Sequence, residues 1–223
     1  MNLSELMGVI QGLGARINIL GIPFYVSLWT VALLVVFALD AKKYIARQTQ
    51  MYSSNNFVVA GITASFAILA SVMLHEASHS IVGWFCGLTT TNGGVSWWGA
   101  YVEFNKALNS VSPMYEVLVS VAGPIANFAL AGIASLAVAT LGESTLENTI
   151  QYTAHINYRL GVLNLLPVMG LDGSKVLDGV LRPFLGSQAI AVIIFVTTFF
   201  SIKWFLNDGF KKKTRFEYFL ESA

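Results

Sequence analysis

Long apolar runs separated by short polar segments divide the chain. Five of them, about residues 17–39, 57–85, 117–141, 150–168 and 188–206, carry few or no charges. At 1.5 Å per helical residue, each is long enough to cross most or all of the ~30 Å hydrocarbon core of a bilayer. The pattern predicts an all-α polytopic membrane protein with about five to six transmembrane helices.

The segment between the second and third runs has a different character. Residues 89–94 combine threonines, an asparagine and two glycines, and Val95 to Phe104 is rich in aromatic and β-branched residues. Turn formers followed by strand formers predict a short β hairpin or sheet. We expect this hairpin to lie at the membrane surface, directly after the second helix.

Composition favours one integral membrane domain over residues 1–223, with a core at about 20–185 and a C-terminal helix and basic tail at 188–223. The chain is 55% hydrophobic and 11% charged, and its mean hydropathy is +0.65. A soluble domain of this size cannot hide that much apolar surface, whereas a helical bundle in a lipid bilayer need not. The net charge of +1 gives no indication of a nucleic-acid partner.

An H-E-x-x-H sequence, His75-Glu76-Ala77-Ser78-His79, lies in the second run. Residues four apart on a helix face the same side, so the two imidazoles can bind one metal ion, and neutral imidazole suits Zn²⁺. Glu76 then lies beside the metal as a candidate general base for a bound water. The alternative is a pair of polar residues at the end of a buried helix. We expect one zinc ion per chain.

A catalytic zinc needs a third protein ligand, and counting membrane crossings selects Asp172. The second run ends at the face near the metal, the third leaves that face and the fourth returns to it. Asp172 follows the fourth run, after a proline and a glycine that end regular helix. Asp40 and Asp208 are expected at the opposite face, and Asp178 lies beyond the break, which makes it the weaker rival.

Two further motifs follow the first one. Together the three are His75-Glu76-x-x-His79, Gly123-Pro124-x-x-Asn127, and Asn164-Leu165-Leu166-Pro167 with Leu171-Asp172-Gly173. In this order they resemble the site-2 protease family of intramembrane zinc metalloproteases, in a minimal form without PDZ or CBS domains. The resemblance implies zinc held by His75, His79 and Asp172. It also implies that Glu76 is the catalytic base and that the substrate is a transmembrane protein cleaved within the bilayer.

Two asparagines are candidates for stabilising the oxyanion of the reaction. Asn164 or Asn127 can donate a hydrogen bond to it, and either one can instead bond helix to helix.

A strand that binds the substrate is expected at residues 93–104. A substrate helix has to unwind before water can attack it, and an exposed strand edge can replace the lost backbone hydrogen bonds. The residues expected to contribute are Val95, Gly99, Ala100, Tyr101 and Val102. The alternative is a surface hairpin anchored by its aromatic residues, Trp97, Trp98 and Tyr101.

Two other functions are open at this point. In a membrane transporter or channel, the buried polar residues of the fourth run would form a pathway, but this does not account for the H-E-x-x-H spacing. A catalytically inactive pseudoprotease would bind metal without cutting, and the intact Glu76 argues against it. We expect a zinc-dependent intramembrane endopeptidase, acting in regulated intramembrane proteolysis, in a multi-pass protein of a prokaryotic cell membrane.

Overall fold

The computed structural model describes residues 14–19, 21–48, 55–96, 99–141 and 144–207. Within these ranges helices dominate, as expected. The elements in chain order are β1 (Gly14–Ile19), β2 (Ile22–Ser27), α1 (Trp29–Gln48), α2 (Asn55–Phe85), β3 (Thr90–Ser96), β4 (Gly99–Phe104), a 3-10 turn (Leu108–Ser110), α3 (Pro113–Val138), α4 (Thr145–Leu165), α5 (Asp172–Leu181) and α6 (Ser187–Asn207). Three features of the sequence analysis lie outside the described residues: Trp97 and Trp98, Asp208, and the basic tail.

Two helices within the described ranges are long and apolar enough to cross a membrane. They are residues 57–85 of α2 and 113–138 of α3, and residues 187–203 of α6 form a shorter apolar helix. The first and fourth predicted membrane helices are present as α1 and α4. Their charged and polar residues make them too polar to count as membrane spans by the same test of length and hydropathy. Two spans, of the five to six predicted, are therefore identified by length and hydropathy.

Large apolar side chains point outward from these helices, and polar ones point inward. Ile133 and Leu136 of α3 are 65% and 73% exposed, whereas Asn127 on the same helix is 1% exposed. Small residues bring the helices together: a side chain at Gly61 of α2 would collide with the Ala38 carbonyl of α1. This arrangement is the one expected where the surroundings are apolar and the interior carries the polar groups.

The sheet is larger than the predicted hairpin. Its order is β1-β2-β3-β4, with β1 and β2 antiparallel, β2 and β3 parallel, and β3 and β4 antiparallel. The predicted hairpin corresponds to β3 and β4. Because β4 pairs only with β3, its other edge is free of strand pairing among the described residues.

The first predicted membrane helix was placed wrongly at its start. Residues 17–19 and 22–27 lie in strands, and the helix runs from Trp29 to Gln48, past the polar residues expected to end it. A turn at Gly21, whose φ is +87° and whose N–H donates to Asn18 Oδ1, separates two runs rich in β-branched and aromatic residues. Pairing of β2 with β3 then favours strand over helix for this apolar segment.

Pro124 lies inside α3 without breaking it, because the helix is continuous from Pro113 to Val138. At Gly123 this helix closely approaches the side chains of α2, and this approach shapes the site described next.

Candidate metal centre

Three ligand atoms converge between α2 and the first residue of α5. His75 Nε2 lies 3.0 Å from Asp172 Oδ2, His79 Nε2 lies 3.2 Å from the same oxygen, and the two nitrogens are 3.1 Å apart. All three side chains are buried. A tetrahedral zinc ion with bonds of about 2.0–2.1 Å has its ligand atoms roughly 3.3 Å apart. The triangle therefore has close to the size that one such ion requires.

The backbone of α3 closes one side of this triangle without filling it. A methyl carbon at Gly123 would lie closer than 3.0 Å to both His75 Nε2 and His79 Nε2. The space for an ion next to both nitrogens thus exists only because residue 123 lacks a side chain. A cradle of this shape, together with two imidazoles and a carboxylate, fits zinc.

The second nitrogen of each ring is held by an acceptor. His79 Nδ1 lies 2.6 Å from the Val119 carbonyl oxygen, and His75 Nδ1 lies 2.6 Å from Asn127 Oδ1. Both partners are oxygens that accept, so each Nδ1 carries the proton and each Nε2 presents a lone pair toward Asp172. Both rings are therefore in the tautomer that binds metal through Nε2.

Asp172 reaches the histidines because the chain folds tightly back after α4. A side chain at Gly173 would collide with the carbonyl oxygens of Leu165 and Leu166, so the start of α5 packs directly on the end of α4. With Oδ2 facing the histidines, the other carboxylate oxygen of Asp172, Oδ1, accepts a hydrogen bond from Lys175 Nζ at 3.3 Å. The carboxylate thus directs a single oxygen at the two rings.

The far end of α5 is tied to the start of α3. The Arg182 guanidinium forms ion pairs with Glu116 and Asp178 and donates to the Asn109 and Val111 carbonyl oxygens. Asp178, the weaker rival for the third ligand, is therefore engaged away from the histidines.

A cavity of about 330 Å³ opens beside the three ligands. Its walls include Glu76 and Asn164 from the helices, and Ala100, Tyr101 and Val102 from the unpaired edge strand β4. Burial, with a smaller contribution from Glu103, raises the pKa of the Tyr101 phenol above its ordinary value, so its hydroxyl stays protonated. The cavity brings together a metal-binding cluster, a carboxylate and a strand edge.

The sequence model of peptidase family M50 matches residues 63–143 and 135–203, which include all three ligands. The chain belongs to peptidase family M50. This confirms the resemblance to the site-2 protease family, and the class of enzyme that this family implies is a zinc metalloprotease.

Two known proteins that are similar to this chain illustrate the match. The putative zinc metalloprotease sll0528 of Synechocystis sp. is 27% identical over 178 residues, which are 79% of this chain and 46% of that protein. The chain thus spans about half the length of this curated relative. The solved structure of a site-2 protease from Methanocaldococcus jannaschii superposes with a TM-score of 0.58 at 22% identity, covering 86% of this chain and 84% of that one. The two share a fold.

The predicted site residues of this M50 peptidase are mostly found around the cavity. The structure brings together His75, His79 and Asp172, and places Glu76 beside them. Val95 differs from the other predicted strand residues, since it belongs to β3, is buried and pairs with Ala100 behind the cavity wall.

Asp40 lies away from the cavity, as the crossing count predicts. Its carboxylate accepts a hydrogen bond from the Tyr152 hydroxyl at 2.9 Å, and thirteen helical residues, about 20 Å, separate Tyr152 from the end of α4.

Sequence reasoning missed two contributors to the site. Asn157 of α4 is 1% exposed and bonds to Asn127, but an asparagine in a polar run gives no sign of its partner. Ser120 lines the cavity, and within the described part of the chain its hydroxyl has no hydrogen-bond partner. Pro124 was a usable signal, because proline has no N–H. It therefore leaves the backbone carbonyl of Ser120, four residues earlier, without its helical hydrogen-bond donor.

Proposed function

We propose that this chain is a zinc-dependent endopeptidase that hydrolyses a peptide bond within a transmembrane helix of a membrane-tethered substrate. The observation that carries the proposal is the shared cavity, in which the ligand triangle, Glu76 and the free edge of β4 face the same space. A carrier or channel has no use for a carboxylate and a strand edge beside a metal cluster.

The roles of the residues follow from their positions. His75, His79 and Asp172 would hold the zinc ion. Bound zinc lowers the pKa of water and polarises a carbonyl. Glu76 accepts the proton of the attacking water on its carboxylate and delivers it to the amide nitrogen of the leaving peptide.

Asn164 suits the role of oxyanion donor better than Asn127. The Asn127 amide is held between His75 and Asn157, whereas Asn164 lines the cavity and uses one N–H on the Leu160 carbonyl oxygen. Its second N–H is available, because an amide nitrogen carries two hydrogens.

The substrate would bind along β4. In an antiparallel pair every second residue directs its N–H and C=O away from its partner strand. With Gly99 opposite Ser96 across a two-residue connection, these outward residues are Ala100 and Val102, and both line the cavity. An unwound stretch of substrate can form backbone hydrogen bonds there, which offsets the cost of unpaired amides in an apolar surrounding.

The position of the site along α2 supports a membrane setting. His75 lies nine residues before the exposed Trp84 on one continuous helix, which corresponds to about 13 Å. We propose that the chain forms a single multi-pass domain in a prokaryotic cell membrane, with α1, α4 and α6 as further spans beside α2 and α3. The polar residues of α4 would then face the cavity and the interior instead of lipid.

The decisive experiment compares the protein with its Glu76→Gln variant, reconstituted in lipid with a model transmembrane substrate. We expect about one zinc ion bound to each protein and a loss of cleavage of roughly 10²–10⁴-fold in the variant, because it lacks the proton acceptor. Glu147→Gln is the matched control, since Glu147 caps α4 and glutamine can make the same capping contact. Cleavage by Glu76→Gln at the rate of the control would contradict the assignment of the base. Zinc binding without any cleavage by the unaltered protein would favour the pseudoprotease.

A further inference from the structure

We propose that Asn157, on a helix that supplies no metal ligand, is a positioning residue for His75. It acts by fixing the orientation of the Asn127 amide, and so the position of the proton on the His75 ring. The inference rests on the metal site of the proposed function, but it concerns metal binding and not proteolysis.

The orientation of the Asn157 amide is determined by acceptors on two helices. Its Nδ2 lies 2.9 Å from the Thr153 carbonyl oxygen and 3.0 Å from Ser71 Oγ. A carbonyl oxygen only accepts, and the Ser71 hydroxyl already donates to the Ala67 carbonyl oxygen at 2.9 Å. Both partners therefore require the NH₂ group of Asn157.

The orientation is then transmitted to the metal ligand in two steps. With its NH₂ group engaged, Asn157 presents Oδ1 to Asn127, whose Nδ2 donates to it at 3.0 Å. Asn127 consequently presents Oδ1 to His75 Nδ1 at 2.6 Å. That oxygen requires a proton on Nδ1, which leaves His75 Nε2 unprotonated where it faces Asp172 and His79.

A reversed Asn127 amide would have the opposite effect. Its NH₂ group would then donate to His75 Nδ1, the ring proton would move to Nε2, and that nitrogen would have no lone pair for a metal. Asn127 and Asn157 are each 1% exposed, so water cannot take over a missing partner. The relay thus selects the one ring tautomer of His75 that binds metal.

The second histidine provides an internal comparison. His79 Nδ1 is paired with a backbone oxygen, that of Val119, which cannot reverse. Only His75 depends on side chains for its tautomer, and this is why a residue as remote as Asn157 can affect the site.

The test is a cobalt titration of the metal-free full-length protein in detergent. Asn157→Leu keeps the approximate volume but removes the acceptor for Asn127, and we expect Co²⁺ affinity to fall about 10–100-fold, as for other partners of metal ligands. Adding Asn127→Asp should return the affinity to within about threefold of the unaltered protein, because a carboxylate accepts in either orientation and restores the proton on Nδ1. Gln151→Leu is the matched control, since it removes a contact of α4 to Tyr44 that is remote from the ligands.

The rescue separates positioning from packing. If Asn157→Leu binds Co²⁺ as the unaltered protein does, the inference is wrong. It is also wrong if the double variant binds Co²⁺ as weakly as Asn157→Leu does. Loss of folding in either variant does not change that conclusion. If the unaltered protein binds no Co²⁺, the metal site of the proposed function is wrong, which is a different result.

Discussion

Gly123→Ala is expected to weaken metal binding strongly while leaving the helical bundle folded. The added methyl carbon would lie closer than 3.0 Å to both His75 Nε2 and His79 Nε2, whereas non-bonded heavy atoms prefer about 3.5 Å. Each ring would have to withdraw by at least about 0.5 Å, more than twice the ~0.2 Å that metal–ligand distances tolerate. The rings cannot simply rotate away, because their Nδ1 atoms are paired to Asn127 and Val119.

The size of the loss can be estimated from the number of ligands affected. Zinc sites with four ligands bind with about 10–16 kcal/mol, which is roughly 3 kcal/mol per ligand. Since ~1.4 kcal/mol corresponds to a tenfold change, losing one histidine lowers affinity about 100-fold and losing both lowers it about 10⁴-fold. Helix propensity acts in the other direction, because alanine is favoured over glycine in a helix by about 1 kcal/mol.

The assay is a zinc competition titration combined with thermal unfolding of the metal-free protein. Gly132→Ala is the matched control, since it lies on the same helix and a side chain there meets nothing within 4 Å. We expect Gly132→Ala to bind zinc with normal affinity and Gly123→Ala to bind it about 100-fold to 10⁴-fold more weakly. Both variants should remain folded. Zinc affinity of Gly123→Ala within a few-fold of the control would refute the interpretation of Gly123 as the wall of the metal site.

Three further predictions follow from the same geometry. Asp172→Ala should lower zinc affinity about 100-fold, again the worth of one ligand, while Asp178→Ala should leave it unchanged; an essential Asp178 in the titration would contradict the choice of third ligand. Gly173→Ala should also weaken zinc binding, because its methyl group would collide with the carbonyl oxygens of Leu165 and Leu166 and displace the start of α5. Val102→Pro should retain zinc but lose cleavage, since proline removes the outward N–H, whereas Val102→Ala should cleave normally; equal cleavage by the two would show that β4 does not bind substrate.

Local sequence was sufficient wherever the chemistry depends on neighbours along one helix. The H-E-x-x-H spacing places two imidazoles on one face whatever surrounds them, because the helical repeat is set by backbone geometry. The selection of Asp172 needed only the order of apolar runs and the alternation of membrane faces. The hairpin of β3 and β4 was likewise predicted from turn and strand formers close together in the chain.

Contacts between distant segments decided the rest. The apolar residues at 22–27 are compatible with helix or strand, and pairing with β3, about seventy residues later, makes them a strand. The metal cradle depends on Gly123 approaching a helix that precedes it by more than forty residues. The role of Asn157 depends on partners 30 and 86 residues away. An amide can be oriented either way until the acceptors around it are in place, so the tautomer of His75 is a property of three packed helices and not of the motif that contains it.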